Sequence, residues 1–535
     1  MTIIDRVFTV RGEPFFPIGG QARNSSGYNA AEAETAFRAL KLINGNTLEI
    51  PVYWEQIEPE EGVFDFQSVD ALLECARRNG VRLVLLWFAT WKNGSMDYAP
   101  AWVKTDPGRF KRVTAPTGRS IWVLSSHCQA TLDADQRAFT ELCAYLKAHD
   151  SAERTVIALQ IENEPGILGS DRDHGPEAQA CYHGPVPAEL VERMRANGQG
   201  RVYDLWQQAG GAEAGTWPEL FGWSAGEVMT SWSIASYIDC IAKGGKEVYD
   251  IPMYTNAWLG EREWALAGES YPSGGPISVV LDIYKWFAPH LDLIAPDIYI
   301  PDSRGYEAIC AAYARDDNPL FVPESAPGGS NAWNMFRAIA DYGAIGYAFF
   351  AIERIIAADG SVRPEHQPLV DSFCAVASAI PLLLRYQGTG KVHAVIQEEN
   401  QREQLLDLDG WLGLVEYDDG STRQPKDWRH RPGEHRPEDR GRGLVIQASR
   451  QELYFLGASY RVMLRPKLPP DQARDASLAN GFLCKHQVPF IHIDEGHLDE
   501  RGAFIVDRRR NGDEANHGVW VEADVGVVRV LLCDP

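Results

Sequence analysis

The chain of 535 residues is poor in positive charge, with 51 lysine and arginine residues against 74 aspartate and glutamate residues and a net charge of −23. This surplus of negative charge repels phosphate backbones and anionic membrane surfaces, so we expect neither nucleic acid nor a membrane as a partner. The sequence also lacks an apolar run of the ~20 residues that span a bilayer. Its most apolar stretch, VRLVLLWFATW (81–91), ends after eleven residues.

Export features are missing as well. The first twenty residues include Asp5, Arg6, Arg11 and Glu13, where a signal peptide needs an uninterrupted apolar run. The nine cysteines are scattered, odd in number and without a CxxC pair, which predicts free thiols in a reducing compartment. We therefore expect a cytoplasmic protein.

Cofactor motifs are absent too: no P-loop, dinucleotide fingerprint or HExxH helix occurs, so nucleotide-dependent enzymes and zinc proteases are excluded and no cofactor is predicted. One loop crowds potential metal ligands, but their spacing fits no zinc pattern, and we interpret it as a solvated acidic loop near the leaving-group side. These residues are Asp171, Asp173, His174, Cys181 and His183.

What the sequence has is a series of eight short apolar runs, each bounded by Gly, Pro or Asn and followed by a helical pattern. Such runs are typical of parallel strands that are buried on both faces, and eight of them predict an enlarged (β/α)8 barrel, or TIM barrel. The runs are Phe15–Gly20, Asn46–Trp54, Val81–Ala89, Thr155–Pro165, Ile251–Trp258, Leu293–Ile300, Pro319–Ser325 and Ala344–Glu353.

Two domains are predicted: a catalytic barrel over residues 1–380 and an all-β, sandwich-like domain over residues 381–535, where alternating strands replace the strand-helix pattern. Residues 168–229 are too long for one crossover, so an extra helical excursion over the barrel is expected there. The segment Thr422–Arg442, dense in charge and proline, is interpreted as a solvated loop.

Two glutamates end predicted strands, Glu164 in the fourth run and Glu324 in the seventh. Active sites of such barrels lie at the carboxyl ends of the strands, and a facing pair of carboxyls is what glycoside hydrolysis requires. We therefore predict Glu164 as general acid/base and Glu324 as nucleophile of a retaining glycosidase. The neighbouring Glu162 is interpreted as a supporting residue.

Further polar and aromatic residues near the strand ends are candidates for sugar binding. The Asn163 amide is predicted to bind the sugar 2-hydroxyl, and the Tyr299 hydroxyl to reach the nucleophile. Tryptophan faces stack on the apolar C–H faces of sugars, which makes Trp54, Trp91 and Trp258 candidates, each with core packing as the alternative.

These motifs resemble clan A glycoside hydrolases, which have an Asn-Glu pair on strand four and a Glu on strand seven. PVYWEQIEPEEGVFDF (Pro51–Phe66) resembles the β-galactosidases of families 35 and 42. More narrowly, LWFATWKNGSMDYAPAWVK (Leu86–Lys104), QIENEPG and GYAFFAIE resemble a bacterial branch of family 35 with a C-terminal β domain. The resemblance implies the two glutamate roles above, places Tyr53 and Tyr299 near the glycone, and makes Asn93 a further substrate-binding candidate.

The resemblance implies an exo-acting β-galactosidase that removes terminal β-D-galactose from oligosaccharides. A β-glucosidase, an α-L-arabinopyranosidase and an endo-glycanase stay open, because the same two carboxylates serve them all. A non-catalytic carbohydrate-binding protein is the alternative from another class, and the formation of a homo-oligomer is also left open.

Overall fold

The computed structural model describes residues 2–4, 7–261, 264–329, 331–398, 401–417, 440–467, 488, 490–499, 501–515 and 518–533. Most of the predicted solvated loop, residues 422–439, lies outside the described residues. The eight cysteines among the described residues are free thiols, as predicted.

Eight parallel strands form the central barrel and confirm the predicted fold class, and one strand overlaps each predicted run. Around the sheet each strand pairs with its neighbours in chain order, and a parallel bridge between Val322 and Tyr347 joins the seventh run to the eighth. The strands are β4 (Ile18–Gln21), β5 (Thr47–Tyr53), β6 (Arg82–Lys92), β9 (Val156–Asn163), β10 (Met253–Trp258), β11 (Leu293–Ile298), β12 (Glu324–Ser325) and β13 (Tyr347–Phe350).

Helices cover the outside of the barrel. One of these helices, α3 (Gln67–Asn79), ends at Gly80 in the left-handed conformation, φ 69°, that glycine adopts without strain. The other helices of the barrel are α1 (Ala30–Leu42), α2 (Trp54–Ile57), α4 (Ala101–Lys104), α5 (Gln129–Asp150), α10 (Ala225–Val248), α11 (Leu281–Phe287), α12 (Ser303–Tyr313), α13 (Asn331–Ala340), α14 (Gln367–Ser378) and α15 (Ile380–Tyr386).

The long connection between the fourth and fifth barrel strands is helical. It contains α6 (Pro176–Tyr182), α7 (Ala188–Asn197), α8 (Arg201–Gln208), α9 (Trp217–Phe221) and a 3-10 helix (Gly222–Ser224). Their apolar side chains join the main barrel core, so the connection packs on the barrel.

The amino end of the barrel interior is closed by a small antiparallel sheet of β1 (Thr2–Ile4), β2 (Val7–Val10) and β3 (Glu13–Phe15). Phe8 of β2 is buried and meets Phe321 edge to face, with ring centroids 5.5 Å apart. Apolar side chains from several barrel strands complete this inner core. In the part of the chain that the structure describes, the barrel interior is thus filled toward this end.

The C-terminal β sandwich has a six-stranded sheet and a four-stranded sheet. Leu444 and Ile446 of the larger sheet pack against the barrel, while Val445 between them faces the second sheet, as strand alternation requires. The larger sheet consists of β14 (Val392–Ile396), β17 (Arg442–Ser449), β18 (Glu452–Ala458), β20 (Phe490–Leu498), β21 (Phe504–Arg509) and β23 (Val527–Leu532), and the smaller of β15 (Glu403–Leu408), β16 (Trp411–Tyr417), β19 (Tyr460–Pro466) and β22 (Val519–Val521).

The predicted domain boundary between residues 380 and 381 falls within helix α15. The division of the chain into two domains at this position stays a prediction. The elements not yet given are a hairpin of β7 (Arg112–Thr114) and β8 (Ser120–Leu124), the helix α16 (Gly512–Ala515), and 3-10 helices at Ile352–Ile355, Pro364–His366 and Ala523–Val525. Within the described residues no single helix has the length and apolar composition to cross a membrane, although the bent pair 364–378 and 380–386 meets both criteria together.

Candidate active site

A cavity of about 600 Å³ opens at the carboxyl end of the barrel. Its walls come from seven of the eight barrel strands, at their ends or in the loops after them. The residues that line it include Asn24, Lys92, Asn93, Glu164, Trp258, Leu259, Glu261, Trp264, Asp297, Tyr299, Glu324 and Phe350. The two predicted catalytic glutamates therefore share one cavity.

Glu164 follows β9 directly and is only 5% exposed. Its φ of 47° is in the left-handed region, which is costly for a residue with a side chain and is typical of functional sites. The Asn256 side-chain oxygen accepts the Glu164 backbone N–H at 2.8 Å, and Asn93 Nδ2 donates to Glu164 Oε2 at 2.6 Å. Burial and the nearby Glu324 carboxylate raise the pKa of Glu164 to about 7.

Glu324 begins the short strand β12 and faces Glu164 across the cavity. Gln21 Nε2 donates to Glu324 Oε2 at 2.9 Å, and the Tyr299 hydroxyl donates to Glu324 Oε1. Both Glu324 oxygens thus have a donor that fixes the carboxylate. One oxygen from each glutamate lies within 4.8 Å of the other.

A third carboxyl, Asp297 of β11, completes the cluster; its nearest oxygen is also within 4.8 Å of the other two. Three such oxygens would suit a hard cation, but the Lys92 ammonium already acts on Glu164 and Asp297 as a positive charge. We therefore assign the cluster to proton chemistry.

Sequence reasoning missed Asp297, Lys92, Gln21 and Asn256. Lys92 and Asp297 each stand at or within one residue of a barrel strand's end, and Gln21 ends β4. The rule that located the glutamates, a polar residue that closes an apolar run, would have found these three as well.

Glu162 is a supporting residue, as interpreted from the sequence. It is fully buried, and its carboxylate accepts the backbone N–H groups of Thr90 at 3.2 Å and Trp91 at 2.7 Å. Burial raises the pKa of Glu162 and of the neighbouring Asp135. Glu162 thereby fixes the end of β6, from which Lys92 and Asn93 reach the cavity.

The candidate sugar-binding residues divide into two groups. Asn93, Trp258 and Tyr299 line the cavity, and the Trp258 side chain is 37% exposed. Phe350 also lines it, at the end of the eighth strand.

The structure does not bring the second group to the cavity surface. Trp54 donates to Glu58 at 3.0 Å and Trp91 donates to the Leu124 carbonyl at 3.2 Å, so both indoles are core residues. Their predicted contact with sugar is wrong, because both rings are fully buried in the main core and neither lines the cavity.

Tyr53 and Asn163, which were also predicted to contact the sugar, do not line the cavity either. The Tyr53 hydroxyl donates to the Asn24 carbonyl at 2.5 Å, and its ring is stacked between Tyr28 and Tyr98. The Asn163 amide is buried beside Gln160.

The loop interpreted as acidic and solvated is exposed at Asp171 and His183 and packed at Asp173. Asp173 is buried, and its carboxylate accepts from the Thr114 N–H at 2.8 Å, the Gly175 N–H at 2.7 Å and the Ser125 hydroxyl at 2.6 Å. The expectation of a solvated loop therefore holds at its exposed residues and is wrong at Asp173.

Comparisons with known proteins point to one enzyme class. Residues 26–206 match glycoside hydrolase family 42, described as Beta-galactosidase, and residues 369–522 match a domain of unknown function, DUF5597. Beta-galactosidase GalA of Bacillus licheniformis is 27% identical over 131 residues, which is 24% of this chain and 18% of that protein. The chain thus matches under a fifth of the length of this curated relative.

Solved structures with similar folds include the catalytic domain of a β-amylase from Paenibacillus polymyxa, with a TM-score of 0.49, 14% identity and coverage of 68% of this chain and 98% of that one. The β-galactosidase of Halorubrum lacusprofundi has a TM-score of 0.47 and 17% identity, over 68% of this chain and 58% of that one. For the β-galactosidase of Bacillus circulans the values are 0.46 and 17%, over 70% and 56%.

The narrower resemblance to family 35 is not supported, and family 42 is the closer of the two families. Residues 26–206 are thus similar to the glycoside hydrolases of family 42.

Proposed function

We propose that the protein is a retaining glycosidase that removes terminal β-D-galactose from oligosaccharides by double displacement, with Glu324 as nucleophile and Glu164 as acid/base. The observation that carries this proposal is the separation of the two carboxylates, whose facing oxygens lie within 4.8 Å. Retaining glycosidases hold the pair ~5–5.5 Å apart, whereas inverting enzymes need ~6.5–9.5 Å to admit a water molecule.

In the first step a Glu324 oxygen attacks the anomeric carbon while the bond to the leaving oxygen breaks. Tyr299 and Gln21 aim the carboxylate through one donor on each oxygen. Glu164 gives its proton to the leaving oxygen, so the aglycone departs as an alcohol and a glycosyl ester of Glu324 remains.

In the second step Glu164, now a carboxylate, takes a proton from water as the water oxygen attacks the anomeric carbon. The ester bond breaks, Glu324 leaves as a carboxylate, and the sugar keeps its β configuration. A pKa of about 7 lets Glu164 take both roles near neutral pH, because both its protonated and its ionised form are then populated.

The galactose assignment is supported by the similarity to family 42 β-galactosidases. Trp258, at the rim of the cavity, offers an aromatic face for a sugar ring. A β-glucosidase, an α-L-arabinopyranosidase or an endo-glycanase would use the same carboxylates and differ in contacts to the other hydroxyls.

A panel of nitrophenyl glycosides tests the substrate, and proton NMR of the first-formed product tests the stereochemistry. We expect the fastest turnover on the β-galactoside and β-galactose as first product, with Glu324→Gln as the inactive control. Preference for another glycone would replace galactose and leave the mechanism intact. An initial α-anomer would exclude double displacement.

A further inference from the structure

Asp297 is a buried carboxyl at the reaction centre for which the double displacement has no use. Its side chain is 2% exposed, and its backbone pairs with Glu324 on one side and with Trp258 on the other. It therefore sits on the rigid barrel wall beside both proposed catalytic glutamates.

Two neighbours impose opposite hydrogen-bonding requirements on Asp297. Asn256 uses its oxygen to accept the Glu164 backbone N–H, so its Nδ2 must face Asp297, to whose Oδ2 it donates at 2.6 Å. On that side Asp297 is an acceptor.

Toward Glu164 the requirement is reversed. One oxygen of Asp297 lies within 4.8 Å of one oxygen of Glu164, and two carboxyl groups that approach each other can share a hydrogen bond only if one of them holds a proton. Asp297 Oδ1 is buried and receives no hydrogen bond from any N–H or O–H of the described residues. An ionised oxygen in that position would be costly, whereas a protonated one is a donor.

The charges around Asp297 favour its neutral form. Burial and the carboxylates of Glu324 and Glu164 raise the pKa of Asp297 well above its usual range, and the Lys92 ammonium acts in the opposite direction. Other titratable groups near it are the hydroxyls of Tyr254, Tyr299 and Tyr313. An ionised Asp297 would therefore add a negative charge beside the Glu324 carboxylate, with the Lys92 ammonium as the opposing positive charge.

We propose that Asp297 is a positioning residue that stays protonated in the resting enzyme and donates its carboxyl hydrogen in a hydrogen bond to Glu164. This inference rests on the proposed glycosidase function. When Glu164 loses its proton to the leaving oxygen, the Asp297 O–H stabilises the new carboxylate without a transfer of its own proton. Glu324 then meets no additional negative charge while it forms the ester.

Two variants separate the effect of the Asp297 hydrogen bond on activity from the effect of a negative charge at this position. Asp297→Asn keeps an acceptor for Asn256 and an N–H donor for Glu164, whereas Asp297→Ala removes both. We expect kcat/KM of the Asn variant within about tenfold of wild type, with the alkaline limb of its pH profile in place. The Ala variant should lose on the order of a further tenfold to hundredfold, since a hydrogen bond to a charged group contributes ~1.5–3 kcal/mol. Its alkaline limb should move to higher pH, because the Glu164 carboxylate has lost a donor.

If Asp297 is instead ionised, Asp297→Asn removes an anion beside Glu164 and the alkaline limb moves to lower pH. That result would overturn the inference. Equal losses in both variants with unshifted pH profiles would also overturn it, because they would indicate a merely structural role.

An infrared difference spectrum gives a readout that does not depend on activity. At neutral pH, wild type minus Asp297→Asn should show the carbonyl band of one protonated carboxyl group. Absence of the band rejects the protonated Asp297 and leaves the glycosidase proposal standing. A band from a protein that cleaves no glycoside would reject the glycosidase proposal alone.

Discussion

The burial of Glu164 beside another carboxylate implies that the active site lowers the stability of the folded state at alkaline pH. The folded state raises the pKa of this carboxyl from 4.5 to about 7. A carboxyl group whose pKa is raised by folding contributes stability that is fully present below pH 4.5 and is lost as the pH rises through about 7. The wild type should therefore lose stability between these two pH values. Glu164→Gln, neutral and of the same shape, avoids the loss.

The expected difference follows from the size of the shift. About 2.5 pKa units at 1.36 kcal/mol each amount to about 3 kcal/mol above pH 8, and the 5% exposure of Glu164 leaves little solvent screening to reduce it. For a barrel of about 390 residues this corresponds to a Tm about 4 °C higher in the variant.

Scanning calorimetry of both proteins at pH 4.5, 6 and 8 measures this, with Glu192→Gln on the exposed surface of α7 as a control for charge alone. The Tm difference should grow with pH for Glu164→Gln and stay near zero for Glu192→Gln. A variant that is equally stable at all three pH values, or less stable at pH 8, would refute the reasoning that Glu164 is strained by burial.

Three other predictions concern activity. The kcat/KM of the wild type should fall above pH about 7, as Glu164 loses the proton needed by the leaving group, and an alkaline limb above pH 9 would contradict this. Tyr299→Phe should lower kcat on the order of 100-fold with little change in KM, because the lost donor acts on the nucleophile; an unchanged kcat would remove Tyr299 from that role. Trp258→Ala should raise KM by about tenfold and affect kcat less, in a steady-state assay with the β-galactoside, and a KM equal to that of wild type would exclude stacking on this ring.

The barrel could be predicted from the sequence because strands that are buried on both faces consist of continuous apolar runs. The seventh run shows the limit of that rule. PLFVPES predicts a strand of seven residues, but the structure has only Glu324–Ser325, since Pro323 has no N–H for the ladder.

Within the site, position along the chain identified the two glutamates but not the direction in which side chains point. Trp91 is one residue from Lys92, yet Trp91 packs in the core and Lys92 lines the cavity, because neighbouring residues of a strand face opposite sides. The role of Asp297 depends on Asn256 and Glu164, which come from two other strands, so only the folded chain reveals it.

Trapping of the covalent intermediate tests the central claim most directly. A 2-deoxy-2-fluoro-β-galactoside with a good leaving group should form a stable ester, since fluorine slows both steps and the leaving group restores only the first. Mass spectrometry of the digested protein should find one fluorosugar on the peptide that contains Glu324, and Glu324→Gln should not be labelled. A label on a different residue would contradict the assignment of Glu324, and turnover of the β-galactoside to α-galactose without a label would contradict double displacement itself.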